Sequence, residues 1–327
     1  MAQLSDDCFA GGGRLTGIET ALSGILPRLA PVTGEEELPL PQALGRILRR
    51  DLVGPGDREQ GSQTALAAGR RLVPQDIWLA DSLGCKTLCV ARPLAAALFS
   101  TGDELAEPGR SLRPGQIYDS NRFTLRALLQ RLGVSCSDLG ILADRRTAVE
   151  EALAEASLRH DVVMTSGGVS TGEEDHVRAA VEARGSIHFW RLAIKPGRPV
   201  ALGQLRRGDR DVVFIGLPGN PVAAMVTFLR IARPIILKLM GGRDLEPVLF
   251  RVRADFDHRK KKDRREFLRA RLAQDETGAL IARKFANEGA GVLSSMVQSD
   301  GLVELPEEMT QLARGTMVDF LPFSEVR

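Results

Sequence analysis

The sequence predicts a three-layer α/β/α protein on a mainly parallel sheet, followed by a small β-barrel-like unit. Short apolar strands at 94–100 (LAAALFS), 161–166 (DVVMTS) and 212–217 (VVFIGL) alternate with helical apolar spacing at 121–133, 147–158, 173–184 and 220–240. That alternation implies right-handed crossovers with helices on both faces of the sheet. After Gly241-Gly242 the pattern changes to short β-prone pieces separated by turns, across 248–321, which suggests a small barrel or sandwich.

In chain order, residues 1–16 are expected to be disordered, with Gly11-Gly12-Gly13 as a joint. Residues 17–31 and 39–53 carry apolar residues at helical spacing, the second through Leu40, Ala43, Leu44, Ile47 and Leu48. The polar, Gly-rich stretch 54–68 reads as a loop or junction, and a further helix is expected near 74–84. The expected division is a helical and linker domain at 17–92, an α/β domain at 93–242 and a β domain at 243–327.

Composition narrows the function. The chain has 327 residues, 43% hydrophobic and 26% charged, with a formal net charge of +2. The near-neutral balance gives no support to nucleic-acid binding, and the basic run Arg259–Arg265 reads as a solvated turn. No apolar stretch approaches membrane-spanning length and the N-terminus has no signal-peptide pattern, so a cytoplasmic protein is expected. Four cysteines, at 8, 85, 89 and 136, have neither zinc-ligand spacing nor a disulfide-scaffold density.

The informative residues follow the strands. Thr101-Gly102-Asp103-Glu104 follows the first, Gly140-Ile141-Leu142-Ala143-Asp144 a second, Ser166-Gly167-Gly168 with Ser170 and Asp175 a third, and Pro218-Gly219-Asn220-Pro221 a fourth. Strand C-termini of an open parallel sheet line a crevice where ligands bind. Gly-rich turns opening helices offer backbone N–H groups to an anion, and neighbouring carboxylates suit a hard cation such as Mg²⁺. Each piece has a plainer reading. Gly167-Gly168 could be a tight turn, Glu104 the N3 partner of a Thr101 capping box, Asp119-Ser120-Asn121 an N-cap, Pro221 a helix start, and Lys195 and Arg198 turn charges. Their coincidence at successive strand ends favours the functional reading. Four scattered histidines have no ligand spacing, and neither G-x-S-x-G nor a P-loop occurs.

Together, STGDEL (100–105), PGQIYDSN (114–121), TSGGVSTGEEDHV (165–177), FWRLAIKPGRPVALG (189–203) and GLPGNPVAAMVTF (216–228) resemble the molybdopterin molybdenumtransferase family, the MoeA and gephyrin E-domain group. ALGRILRRDL (43–52) looks like that family's N-terminal helix, and the C-terminal segment looks like its last domain. The resemblance implies a dimeric enzyme of molybdenum-cofactor synthesis. Such an enzyme inserts molybdate into adenylylated molybdopterin with Mg²⁺ and releases AMP, and it could meet other cofactor-synthesis proteins or a molybdoenzyme. Carried over by motif, Glu104, Asp144 and Asp175 are the acids near metal or molybdate, with Glu104 and Asp175 as metal ligands. Lys195 contacts the anionic ligand. Thr101, Gly102, Asp103, Asp119, Ser120, Asn121, Ser166, Gly167, Gly168, Ser170 and Arg198 line the cofactor site, and Pro218, Gly219, Asn220 and Pro221 wall the pterin pocket.

Three departures accompany the resemblance. The family's Met-Asp-Gly-Tyr-Ala motif and the β-rich domain that it opens are missing near 53–60. Arg191 stands where the family usually has lysine, which keeps charge but not geometry, and Ala290 where it usually has serine. The alternative reading is therefore a non-catalytic molybdopterin-binding homologue acting as carrier, chaperone or regulator. A CinA-like nucleotide amidohydrolase fits poorly, because GGVSTGEED, KPGRP and LPGNP replace that group's Gly-Leu-Gly-Pro-Thr segment.

Overall fold

The computed structural model describes residues 15–55, 62–168, 176–208, 210–286, 289 and 293–325. A seven-stranded sheet runs in the order Leu15–Thr16, Gly185–Leu192, Pro199–Arg207, Arg210–Leu217, Val162–Ser166, Ala95–Thr101, Ser135–Leu142. From Arg210–Leu217 to Ser135–Leu142 the neighbours are parallel, as the alternation predicts. The Gly185–Leu192, Pro199–Arg207 and Arg210–Leu217 strands instead form an antiparallel meander. Apolar spacing does not reveal its first two strands, because Arg191, Lys195, Pro196, Arg198 and Pro199 interrupt the run.

Alternate residues of Ala95–Thr101 enter two cores. Ala96 and Leu98 pack with the helices Ile18–Ile25 and Asn121–Arg131, whereas Ala97 and Phe99 pack with Arg146–Arg159 and His176–Glu182. Burial on both faces explains why the strand reads as an unbroken apolar run. Residues 221–239 form one helical path, Pro221–Thr227, a π turn at Phe228–Ala232, then Arg233–Leu239. Pro234 has no N–H to give the preceding turn, which accounts for the wider hydrogen-bonding there.

The N-terminal expectations need correction. The helix expected at 17–31 ends at Ile25 and continues as a 3₁₀ turn, Leu26–Arg28, around Pro27. The helix expected at 39–53, including the ALGRILRRDL segment, spans only Leu40–Ala43. Gly45 turns the chain at φ 77, and Ile47 and Leu48 then bridge to Arg71 and Val90 as extended chain. Leu40, Ala43 and Leu48 serve a small cluster with Leu66, Leu72, Leu88 and Val90 rather than a helix face, Ile47 enters the main core, and Leu44 is exposed. The stretch expected as a loop pairs as a hairpin, Leu52–Pro55 with Ser62–Leu66.

The C-terminal strands close into a five-stranded barrel. Arg265–Gln274, Leu280–Lys284, Phe250–Ala254, Met317–Pro322 and Gly301–Leu305 follow in order, and the last pairs back onto the first. Val252, Leu268, Val303 and Phe320 fill it. A short strand, Ile194–Lys195, adds in parallel at Arg265 and Glu266 and ties the barrel to the α/β layers. The basic run is not simply solvated: Lys260 is buried, donating to Pro306 O at 2.8 Å and Met309 O at 2.7 Å. Among the described residues no helix is long and apolar enough to cross a membrane.

Glu304 of the barrel is buried, with Arg230 Nε 3.4 Å from Oε1 and Arg265 Nη1 3.7 Å from Oε2. Burial outweighs both arginines and holds its carboxyl above the ordinary value of 4.5. A raised pKa contributes stability that is full below the unfolded value and lost as pH rises through the folded one. Glu304→Gln removes that loss, so its stability relative to the parent should rise as pH climbs above the ordinary carboxyl value of 4.5 in urea unfolding. A difference that is independent of pH counts against this account.

Candidate ligand site at the strand ends

Three strand ends meet at Thr101, which is buried. Its Oγ1 donates to Asp144 Oδ1 at 3.1 Å, so the threonine sets the position of a half-buried carboxylate. A Cβ added at Gly167 would lie 2.8 Å from Thr101 O. One added at Gly168 would lie 2.5 Å from Val177 Cγ2 and 2.8 Å from Thr101 Cγ2. Both glycines also adopt left-handed φ, 90 and 63. The sequence reading of this pair therefore changes. The glycines are needed because the chain leaving the Ser166 strand passes Thr101 without room for a side chain. The Gly167 N–H donates to Leu217 O at 3.0 Å and is not available to a phosphate.

On the other face of the sheet, Asn121 joins the Ser166 strand end to a further one. Its Nδ2 donates to Ser166 Oγ at 2.8 Å and to Gly219 O at 2.7 Å. Asn220 caps the next helix, its Oδ1 accepting the Ala223 N–H at 3.1 Å, and Pro221 occupies the first turn. Two helix N-termini thus open at the same edge, a setting favourable to anions. Ser120, Asn121, Pro221, Ala224 and Met225 border an apolar cleft of about 340 Å³. The IKPGRP loop packs alongside: a Cβ at Gly197 would lie 2.7 Å from Thr227 Cγ2 and 3.3 Å from Ala223 O.

Asp119 has a structural task that its motif conceals. It caps the Asn121–Arg131 helix by accepting the Arg122 N–H at 3.2 Å, while Ser120 makes no side-chain cap bond. The buried Arg122 guanidinium also donates to Asp119 Oδ2 at 2.9 Å, to both Glu107 oxygens at 2.6 Å and to Asp138. Burial opposes the charge on Arg122, but the three carboxylates outweigh it and raise its pKa. Burial likewise opposes ionisation of Asp138, yet Arg122 and the Gly140 N–H hold its pKa below the usual value. Arg122 was not legible as important in the sequence; the only cue is Asp119 three residues earlier.

Gly102, Asp103 and Glu104 form an open turn beyond Thr101. The Leu105 N–H donates to Gly102 O at 3.0 Å, and Glu104 folds back so that a Cβ on Gly102 would lie 2.6 Å from its Oε2. The capping box from Thr101 to Glu104 does not form, because Thr101 ends a strand and no helix follows. Asp103 and Glu104 are exposed. Ser170 and Asp175 lie outside the described residues, as does Ala290. Among the described residues no group of three or more His, Cys, Asp or Glu side chains could hold a metal ion. Arg198 and Arg191 are exposed, whereas Lys195 Nζ sits 3.4 Å from Glu266 Oε1 and is more than a turn charge.

Two other cavities lie near the sheet. One of about 430 Å³, bordered by Glu107, Arg110, Arg113 and Gly140, adjoins the strand ends. Another of about 570 Å³ lies along the edge strand at Ser135 and Ser137, under Arg159 and His160. The second is roomier, but His160 there is engaged by Ser137 Oγ at 2.8 Å and Ala156 O at 2.9 Å, and Leu142 alone of the strand-end residues lines it.

Comparison with known proteins agrees with this arrangement. Residues 97–238 match the family described as a probable molybdopterin binding domain, and residues 251–323 the MoeA C-terminal region (domain IV). The molybdopterin molybdenumtransferase of Haemophilus influenzae is 38% identical over 291 residues, covering 89% of this chain and 69% of that protein. A Nostoc protein of the same name is 32% identical, and the match spans 59% of its length. A molybdenum cofactor biosynthesis protein from Pyrococcus furiosus superposes with a TM-score of 0.72 at 26% identity, covering 95% of this chain and all of that one. A MoeA protein from Pyrococcus horikoshii reaches 0.76 at 20% identity, a likeness of fold. An α/β layer joined to a closed barrel is thus a fold of molybdenum-cofactor synthesis. The chain belongs to the MoeA family.

Two substitutions test the corner. Gly168→Ala should lower stability by about 1–3 kcal/mol through strain and overlap with Val177, before any ligand is added. Arg122→Ala should cost about 3–5 kcal/mol by stranding Asp119 and its companion carboxylates. Urea unfolding measures both, and a Gly168→Ala protein as stable as the parent would show that the corner tolerates a side chain.

Proposed function

We propose that this chain binds adenylylated molybdopterin at the strand ends and inserts molybdate, with release of AMP. The observation that carries the reading is the Thr101 corner, where the threonine hydroxyl holds Asp144 and the same strand runs on into exposed Glu104, in a chain of the MoeA family. The apolar cleft beside Pro221 and Met225 suits a flat heterocycle, with the LPGNP loop as its wall. Lys195 lies on the loop packed against that helix and would meet an anionic group. Helix N-termini at Asn121 and Pro221 would add favourable potential for phosphate.

Glu104 and Asp144 offer hard oxygen donors of the kind Mg²⁺ takes, with Asp175 as the further candidate ligand. When bound, Mg²⁺ supplies neutralisation of charge on phosphate and molybdate oxygens. This chain's residues would orient the two substrates and keep the carboxylates fixed. The protein is proposed to work as a homodimer, the assembly implied by the resemblance. Because the family's β-rich domain is missing near 53–60, insertion slower than in relatives that carry it is the favoured form of the reading. Binding without turnover is its limit.

Incubation with adenylylated molybdopterin, molybdate and Mg²⁺ tests this by AMP release. Glu104→Gln and Asp144→Asn should each lower the rate roughly tenfold or more, since each removes a fixed charge from the reacting region. Glu104→Gln should leave the melting temperature unchanged, because that side chain is exposed. Full activity in both variants would rule out these carboxylates.

A further inference from the structure

Glu266 belongs to the barrel and lies in none of the five family-like motifs. It is 2% exposed, a costly place for a carboxylate unless its partners are fixed. Both oxygens have partners. Oε1 lies 3.4 Å from Lys195 Nζ, and Oε2 lies 3.0 Å from His258 Nε2. His258 Nδ1 in turn faces Lys284 Nζ at 3.4 Å. With Lys284 as donor to Nδ1, the His258 proton sits on Nε2, directed at Glu266. The backbone enforces the same meeting. Lys195 and Glu266 are register partners in the parallel pair between Ile194–Lys195 and Arg265–Gln274, and the Arg265 N–H donates to Ala193 O at 2.8 Å.

We propose that Glu266 is the positioning residue for Lys195, so that the barrel fixes the direction of a cation belonging to the α/β ligand site. This rests on the reading of Lys195 as a contact to the anionic ligand. Even on a short strand, a lysine has a flexible stem with a mobile charge, and half of this side chain (49%) remains accessible. A buried carboxylate, itself held by His258, restricts that freedom while about half of the side chain stays accessible. Less freedom is then lost when an anion binds, which is how preorganisation raises affinity. The barrel thus acts on the site through Glu266 and needs no ligand contact of its own.

The test is a mutant cycle read by calorimetric binding of molybdopterin to the full chain. Lys195→Ala should weaken binding by roughly tenfold, and Glu266→Gln by roughly five- to tenfold. In the Lys195→Ala background, Glu266→Gln should cause no further loss. Glu266→Asp, which keeps the charge but shortens the arm, should fall between parent and Glu266→Gln and serves if the amide variant does not fold. An equal loss from Glu266→Gln with and without Lys195 would overturn the proposal, since a purely structural carboxylate behaves that way. Parent-like affinity in folded Glu266→Gln, while Lys195→Ala is impaired, would overturn it as well. Parent-like affinity in Lys195→Ala would instead remove the underlying role of Lys195, and the positioning role with it.

Discussion

The arrangement of the site depends on a steric constraint at Thr101. Its carbonyl oxygen and methyl group occupy the space that side chains at positions 167 and 168 would need, and its hydroxyl holds Asp144. Two strands can end side by side there only because one of them finishes in glycine. Leu217 completes the corner by taking the Gly167 N–H. Once these ends are locked, the turn carrying Asp103 and Glu104 and the loop carrying Gly219 and Asn220 must emerge from the same edge. The carboxylates, the helix N-termini and the apolar cleft are therefore brought together by packing, before any ligand is present.

That edge is used on both faces. Thr101 and Asp144 belong to the side covered by Arg146–Arg159 and His176–Glu182, whereas Ser166 and Asn121 belong to the side covered by Asn121–Arg131 and the helical path from Pro221. A ligand bound across the strand ends would meet acids on one side and an apolar wall on the other. Such a division suits a molecule with a charged end and a heterocyclic end. The barrel contributes at a third point, through the short strand that carries Lys195.

Much of this was legible in the sequence. The parallel strands were visible because their burial on both faces leaves uninterrupted apolar runs, and Pro221 announced a helix start that forms. The roles of Gly167 and Gly168 were only half legible. Glycine signals a close approach, but its partner proved to be Thr101, 66 residues earlier than Gly167, and no local pattern specifies that. The antiparallel meander was hidden by the charged and proline-rich motif lying across it. The helix expected at 39–53 failed because apolar residues spaced for one face were recruited by Gly45 and two bridges into extended chain. Arg122 and Glu266 were invisible for a common reason: their importance lies in partners distant in sequence, Asp138 for one and Lys195 for the other.

The central claim is that the ligand occupies the strand ends around Thr101, not the roomier cavity along the edge strand. A crystal structure of the chain with molybdopterin tests it most directly. The account predicts density between the Thr101–Glu104 turn and the Pro218–Pro221 loop, with the pterin in the cleft beside Met225. Density confined to the cavity beneath Arg159 and His160, with the strand ends unchanged, would contradict it.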